Sequence, residues 1–253
     1  MLMNTNQKST HMIKTTILNY RFIWISIFSI AMAMLETAVV IYLRKIYYPE
    51  GFSFPLNPID ASIVLTEIAR EAATMIMLLG IAILAAEKKN QRFAYFLYSF
   101  AIWDIFYYVF LKIFINWPES LLTWDILFLI PVTWVGPVIA PIICSIMMIL
   151  LAILILLFSN SQKQAGLNSI NWLFLVLGSL VVVISFVEDY VSYMSGSFSY
   201  LEIFTMQNSQ EVMDYAAQYI PNSFAWYTFS AGIIIIGIGI FTYTRRFSKT
   251  SVK

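Results

Sequence analysis

The sequence predicts an all-α, polytopic transmembrane helical bundle of six spans plus one re-entrant or interfacial segment, and three observations predict it. Hydrophobic residues make up 60% of the 253 and charged residues only 11%, with a mean hydropathy of +0.78, far outside soluble composition. Apolar runs of about twenty residues, the length that crosses a hydrocarbon core, recur six times along the chain. Between those runs the basic residues gather on alternate connections, as membrane topology requires.

The spans fall at about 22–43, 62–86, 93–115, 137–158, 169–191 and 224–244, within a single transmembrane domain over 22–244. Residues 1–21 read as a mobile, polar cytoplasmic tail and 245–253 as a basic one. The first apolar run is too long for a signal-peptide core and lacks a small-residue cleavage site after it. On this division 11 of the 15 Lys and Arg lie on one side: Lys8, Lys14 and Arg21, then Lys88, Lys89 and Arg92, then Lys163, then Arg245, Arg246, Lys249 and Lys253. The expectation is a cell-membrane protein with both termini in the cytoplasm.

The stretch 121–141, LLTWDILFLIPVTWVGPVIAP, is apolar enough for a membrane but carries Asp125, Gly136, Pro131, Pro137 and Pro141. Proline inside a helix removes a backbone hydrogen bond and clashes with the preceding turn. In lipid the freed group must find a partner within the protein. The segment at about 121–135 is therefore read as re-entrant or interfacial, with the fourth span starting at Pro137, where proline costs a helix no bond. A full crossing here would also break the charge alternation. The connection 192–223 is the longest on the outer side, and 208–219 within it reads as a short amphipathic helix across the mouth.

Several functions are excluded or left without support. A net charge of +1, with no basic stripe or RNA-binding motif, sets nucleic acid aside. The one histidine, His11, lies in the tail, so haem, copper and histidine-containing di-iron sites lack ligands in the spans. No G-x-S-x-G, Walker A or H-E-x-x-H pattern occurs. The single cysteine, Cys144, reads as a small buried apolar residue. No cofactor and no specific metal site is implied, although carboxylates alone suit Ca²⁺, Mg²⁺ or Mn²⁺.

What remains is an unusual set of ionisable groups inside the spans, where such groups face a bundle interior or a wet cavity. Glu36 lies in span one; Glu67, Arg70 and Glu71 lie in span two; Asp104 and Lys112 lie in span three, and Asp125 lies in the broken segment. At about 1.5 Å of rise per residue they form two layers, Glu36 with Glu67, and Arg70 and Glu71 with Asp104. Asp104, Tyr108 and Lys112 recur every fourth residue and give span three a polar stripe. Four span carboxylates against Arg70 and Lys112 leave two acids to be protonated, hydrated or matched by a cation. A purely structural ion-pair lattice would more naturally balance. The triplet W-D-I at Trp103 and again at Trp124 reads as chance similarity in an aromatic-rich chain.

The elements WDIFYYVFLK (103–112), WPESLLTWDILFLIP (117–131) and WVGPVIAP (134–141), with LETAVVIYLR (35–44) and TEIAREAATMIMLL (66–79), resemble a family of uncharacterised bacterial multi-pass membrane proteins. The likeness covers about the first four helices. It implies a bacterial membrane location and no mechanism.

Three functional readings stand open. The first is an outward-opening acidic intramembrane pocket that binds or takes up a small cation, amine or lipid headgroup, through Glu36, Glu67, Arg70, Glu71, Asp104, Tyr108, Lys112 and Asp125. The second is a membrane-embedded enzyme using one carboxyl with a raised pKa on a lipid or exported substrate. The third is a non-catalytic subunit of a membrane complex. The bilayer is a partner in all three, and oligomeric state is open.

Overall fold

A computed structural model describes residues 2–57, 59–129, 132–161, 166–205 and 210–248. Its elements in order are α1 (Leu2–Tyr47), α2 (Ala61–Ala85), α3 (Lys89–Ile115), β1 (Trp124–Phe128), β2 (Trp134–Pro137), α4 (Ile139–Ser161), α5 (Ser169–Met194), α6 (Tyr200–Thr205), α7 (Gln210–Ala217) and α8 (Trp226–Ser248). Six of these helices are long and apolar enough to cross a membrane. The polar residues ahead of Tyr20 continue α1 as helix, and the basic residues after Ser248 lie outside the described residues.

The six long helices expose large apolar side chains outward, as lipid contact demands; Leu84 is 84% exposed and Ile76 70%. Inward, small residues set the spacing. On α1 the residues Ile25, Ser29, Ala33 and Thr37 recur every fourth position and are all but fully buried. This stripe faces α3, where the Thr37 hydroxyl donates to the carbonyl of Tyr107 at 3.4 Å. Helix α3 is the hub, contacting α1, α2 and α4, while α5 pairs with α8. That pair is made by glycines. A Cβ on Gly178 would lie 2.6 Å from Ile236 Cγ1 and 2.9 Å from the Gly232 carbonyl oxygen, and one on Gly232 would lie 2.9 Å from that of Gly178. Close backbone approach at small residues is how helices associate without a hydrophobic drive between them.

The proline-broken segment folds as an antiparallel hairpin. Trp124 faces Pro137, Asp125 faces Gly136 and Ile126 faces Val135, with a register shift before Phe128 pairs with Trp134. The hairpin does not cross the bundle; its two strands run out and back. It also resolves the backbone problem the prolines create. The N–H of Val138 donates to the Thr123 carbonyl at 3.0 Å and that of Ile139 to the Leu121 carbonyl at 2.8 Å, so the amides leading into α4 are satisfied by the turn just ahead of β1. Pro137 closes β2, and α4 starts two residues later than the first helical position read from the sequence. Pro131 lies outside the described residues. Gly136 is required where it stands, because a Cβ there would meet the Phe186 ring of α5 at 2.9 Å. The two W-D-I triplets lie on a helix and on a strand, so they are not copies of one structural unit.

The bundle thus has two unlike ends. At the basic end, Ala82, Ala94, Tyr95, Ile155 and Tyr243 form a hydrophobic core. At the hairpin end, Val132, Val135, Tyr190, Met194, Ile203 and Tyr219 form an aromatic-rich roof with the hairpin, α6 and α7. Asp189 on α5 ties this roof down, accepting from the Tyr219 hydroxyl at 2.7 Å and from the Asn222 N–H at 3.1 Å. Between roof and floor lies the cavity.

Candidate functional site

The cavity has a volume of about 1000 Å³ and is lined by α1 to α5, the hairpin, α6, α7 and Ile236 of α8. Its wall is mostly apolar. Among the described residues that line it, the carboxylates are Glu36, Glu67, Glu71, Asp104, Asp125 and Asp214, and the cations are Arg44 and Arg70. Of the eight residues singled out from the sequence, seven line this cavity; Lys112 does not.

The arginines are committed. Arg70 lies between α1 and α2 with its Nη1 on Glu36 Oε2, while its Nε and Nη2 reach Glu67 Oε2 at 2.9 and 2.7 Å. The long side chain reaches back one turn along α2, so Arg70 joins the Glu36 and Glu67 layer rather than that of Asp104. Arg44, near the end of α1, is not among the residues singled out from the sequence. Here its Nη2 donates to Asp125 Oδ1 at 3.0 Å. Its guanidinium lies 3.7 Å from the ring centre of Trp117 and 4.5 Å from that of Phe52, two cation–π contacts. Asp125 is 2% exposed, and the Tyr108 hydroxyl approaches its carboxylate. Asp125 thus lines the cavity and at the same time anchors the hairpin, because a buried carboxylate needs its countercharge.

Two acids are left. Glu71 accepts from the N–H of Leu129 at 3.2 Å, which pins the far end of β1. Asp104 accepts from the Ser145 hydroxyl of α4 at 2.7 Å. Among the described residues neither has a cation within ion-pair distance. A small void of about 20 Å³, room for one water, separates Glu36 and Glu71 beside Thr74. Lys112 supplies no relief, since its Nζ donates to the carbonyls of Asn116 and Pro118, at 3.5 and 3.0 Å. The polar stripe of α3 is therefore split: Asp104 turns to α4, Tyr108 to the hairpin and Lys112 to the chain just beyond its own helix.

Sequence reasoning missed Arg44, Ser145 and the Leu129 amide. Arg44 carried a signal, since an arginine near two aromatic-rich turns can stack as well as flank. A serine hydroxyl and a backbone amide carry none. Among the described residues no three His, Cys, Asp or Glu side chains gather closely enough to hold a metal ion.

Six apolar crossing helices, a hairpin returned to its own side and a lipid-facing exterior define a multi-pass helical membrane protein. No protein-family model, curated protein or solved structure matches the chain.

Proposed function

We propose that this protein binds an organic amine, free or as a lipid headgroup, in the acidic part of its intramembrane cavity, for recognition or uptake from the outer face. The observation that carries the reading is the pair Glu71 and Asp104, two carboxylates on the cavity wall without a cation among the described residues. Unmatched charge in a low-dielectric site is costly, and an ammonium group entering the cavity would relieve it. The reading favours an amine over a bare divalent ion because, among the described residues, the oxygen ligands are not clustered. Both termini would be cytoplasmic and the hairpin end external, following the basic residues. The enzymatic and subunit readings have no comparable observation behind them.

The native cysteine supplies the test. Cys144 is the only cysteine in the sequence, lines the cavity and is partly exposed. Butylamine should slow its alkylation by N-ethylmaleimide, whereas butanol and butyrate should not. The double variant Glu71→Gln/Asp104→Asn should lose that protection. Equal protection by butanol would remove charge from the explanation and the proposal with it.

A further inference from the structure

The acidic groups occupy only one part of the cavity. Along α3 the lining runs from Tyr108 near the hairpin to Phe93 near the basic end, fifteen residues or about 22 Å of rise. That is most of a hydrocarbon core about 30 Å thick. Beyond Asp104, toward the basic end, the wall is formed by Phe93, Leu97, Leu151, Leu175 and Ile236, with Ser179 at its middle depth. No ionisable side chain is among the described lining residues there. The bundle then closes on Ile155 and Tyr243, both 0% exposed, so this part is a blind shaft.

Such a shaft is too long and too apolar to serve an ammonium group alone. Apolar cavities hold water poorly, and a methylene chain lying in this one would fill it with dispersion contacts. The acids stand at one end and the hydrocarbon wall at the other, an amphiphile in negative. Resting on the amine reading above, we infer that the ligand is a long-chain amphiphile carrying an amine head. The head lies by Glu71 and Asp104, and a single alkyl chain descends the shaft along α3, α4 and α5. The closed lower end makes this a binding chamber entered from the hairpin side. It supplies no open path to the basic end.

The experiment is photolabelling of the full chain in phosphatidylcholine nanodiscs with hexadecylamine carrying a diazirine at the far end of its chain. Labels should fall on Leu97, Leu151 or Leu175. Glu71→Gln/Asp104→Asn should lower labelling there by about tenfold, the effect of about 1.4 kcal/mol of lost head binding. Ser179→Trp and, separately, Met148→Trp narrow the shaft from two different helices, and each should lower it while butylamine still protects Cys144. Labels confined to the outward-facing Leu84, Leu157 and Leu173, each at least 52% exposed, would overturn the inference. If butylamine protection persisted with the shaft unlabelled, the chain inference would fall and the amine reading would stand. If neither probe depended on the acids, both would fall.

Discussion

Arg44 and Asp125, 81 residues apart in sequence, meet at 3.0 Å at the hairpin end of the bundle. The pair joins α1 to the first strand of the hairpin, and the Trp117 and Phe52 rings cover the guanidinium. With Glu71 holding Leu129, it fixes the hairpin at both ends of β1. The roof of the cavity is therefore set by two carboxylates, one from the hairpin and one directed at it.

Breaking that pair should be costly, since both side chains are at most 10% exposed. Asp125→Asn or Arg44→Met alone leaves one buried group without its partner and should destabilise the fold by about 3–5 kcal/mol. The double change Arg44→Met/Asp125→Leu should recover much of the loss, because no buried charge is left behind. Thermal unfolding of the purified variants reads the difference. An Asp125→Asn protein as stable as the parent would show that the pair holds nothing in place.

The glycine contact between α5 and α8 makes a second prediction. Gly178→Ala places its methyl group against the Gly232 carbonyl, a backbone atom that cannot rotate away. The expected cost is about 1–3 kcal/mol of overpacking. Gly80 on α2 has open space around it, so Gly80→Ala is the control and should not destabilise. Equal melting temperatures for the two variants would refute the close-packed contact.

Lys112 separates the sequence stripe from the site. Lys112→Met removes its bonds to the Asn116 and Pro118 carbonyls, which should loosen the end of α3. Protection of Cys144 by butylamine should stay within about twofold of the parent, the range of a substitution remote from the site. A complete loss of protection would return Lys112 to the binding machinery.

At the N-terminus of α6, outside the membrane-spanning helices, a pH response is expected. The Glu202 carboxylate accepts from the Ser199 hydroxyl at 2.6 Å and from the Ser199 N–H at 2.8 Å, and the Glu202 N–H donates back to the Ser199 hydroxyl oxygen at 3.4 Å, the reciprocal arrangement of a capping box. The hydroxyl bond first, then the amide, holds its pKa below the ordinary glutamate value of 4.5. A lowered folded-state pKa means that the contribution to stability is present above 4.5 and is lost as pH falls through the folded value. Amide exchange at Leu201 and Ile203, corrected for intrinsic rate, should accelerate over that acidic window in the parent. In Glu202→Gln it should not, and identical profiles would dismiss the cap.

Much of the architecture was legible because its causes are local. Apolar length specifies a crossing helix, and prolines at 131, 137 and 141 forbid a plain one. The re-entrant reading of the segment around Asp125 follows from backbone hydrogen bonding alone. What that segment becomes was not legible: a hairpin needs a partner strand, a Gly136 facing Phe186 and an arginine waiting at the end of α1. The acids could be counted, but their assignments could not. Arg70 chooses Glu36 and Glu67 over Asp104, and Arg44 takes Asp125, through helix rotations that no single helix contains.

The sequence by itself therefore determined six helices, their lipid-facing character and an excess of carboxylates over cations among them. These follow from hydropathy and composition, which act residue by residue. Only the tertiary structure decided which acids are spent on arginines, that Glu71 and Asp104 are left over, and that an apolar shaft lies beneath them. Those outcomes depend on how closely α5 meets α8 and how α3 sits among its neighbours, distances set by packing between segments far apart in the chain.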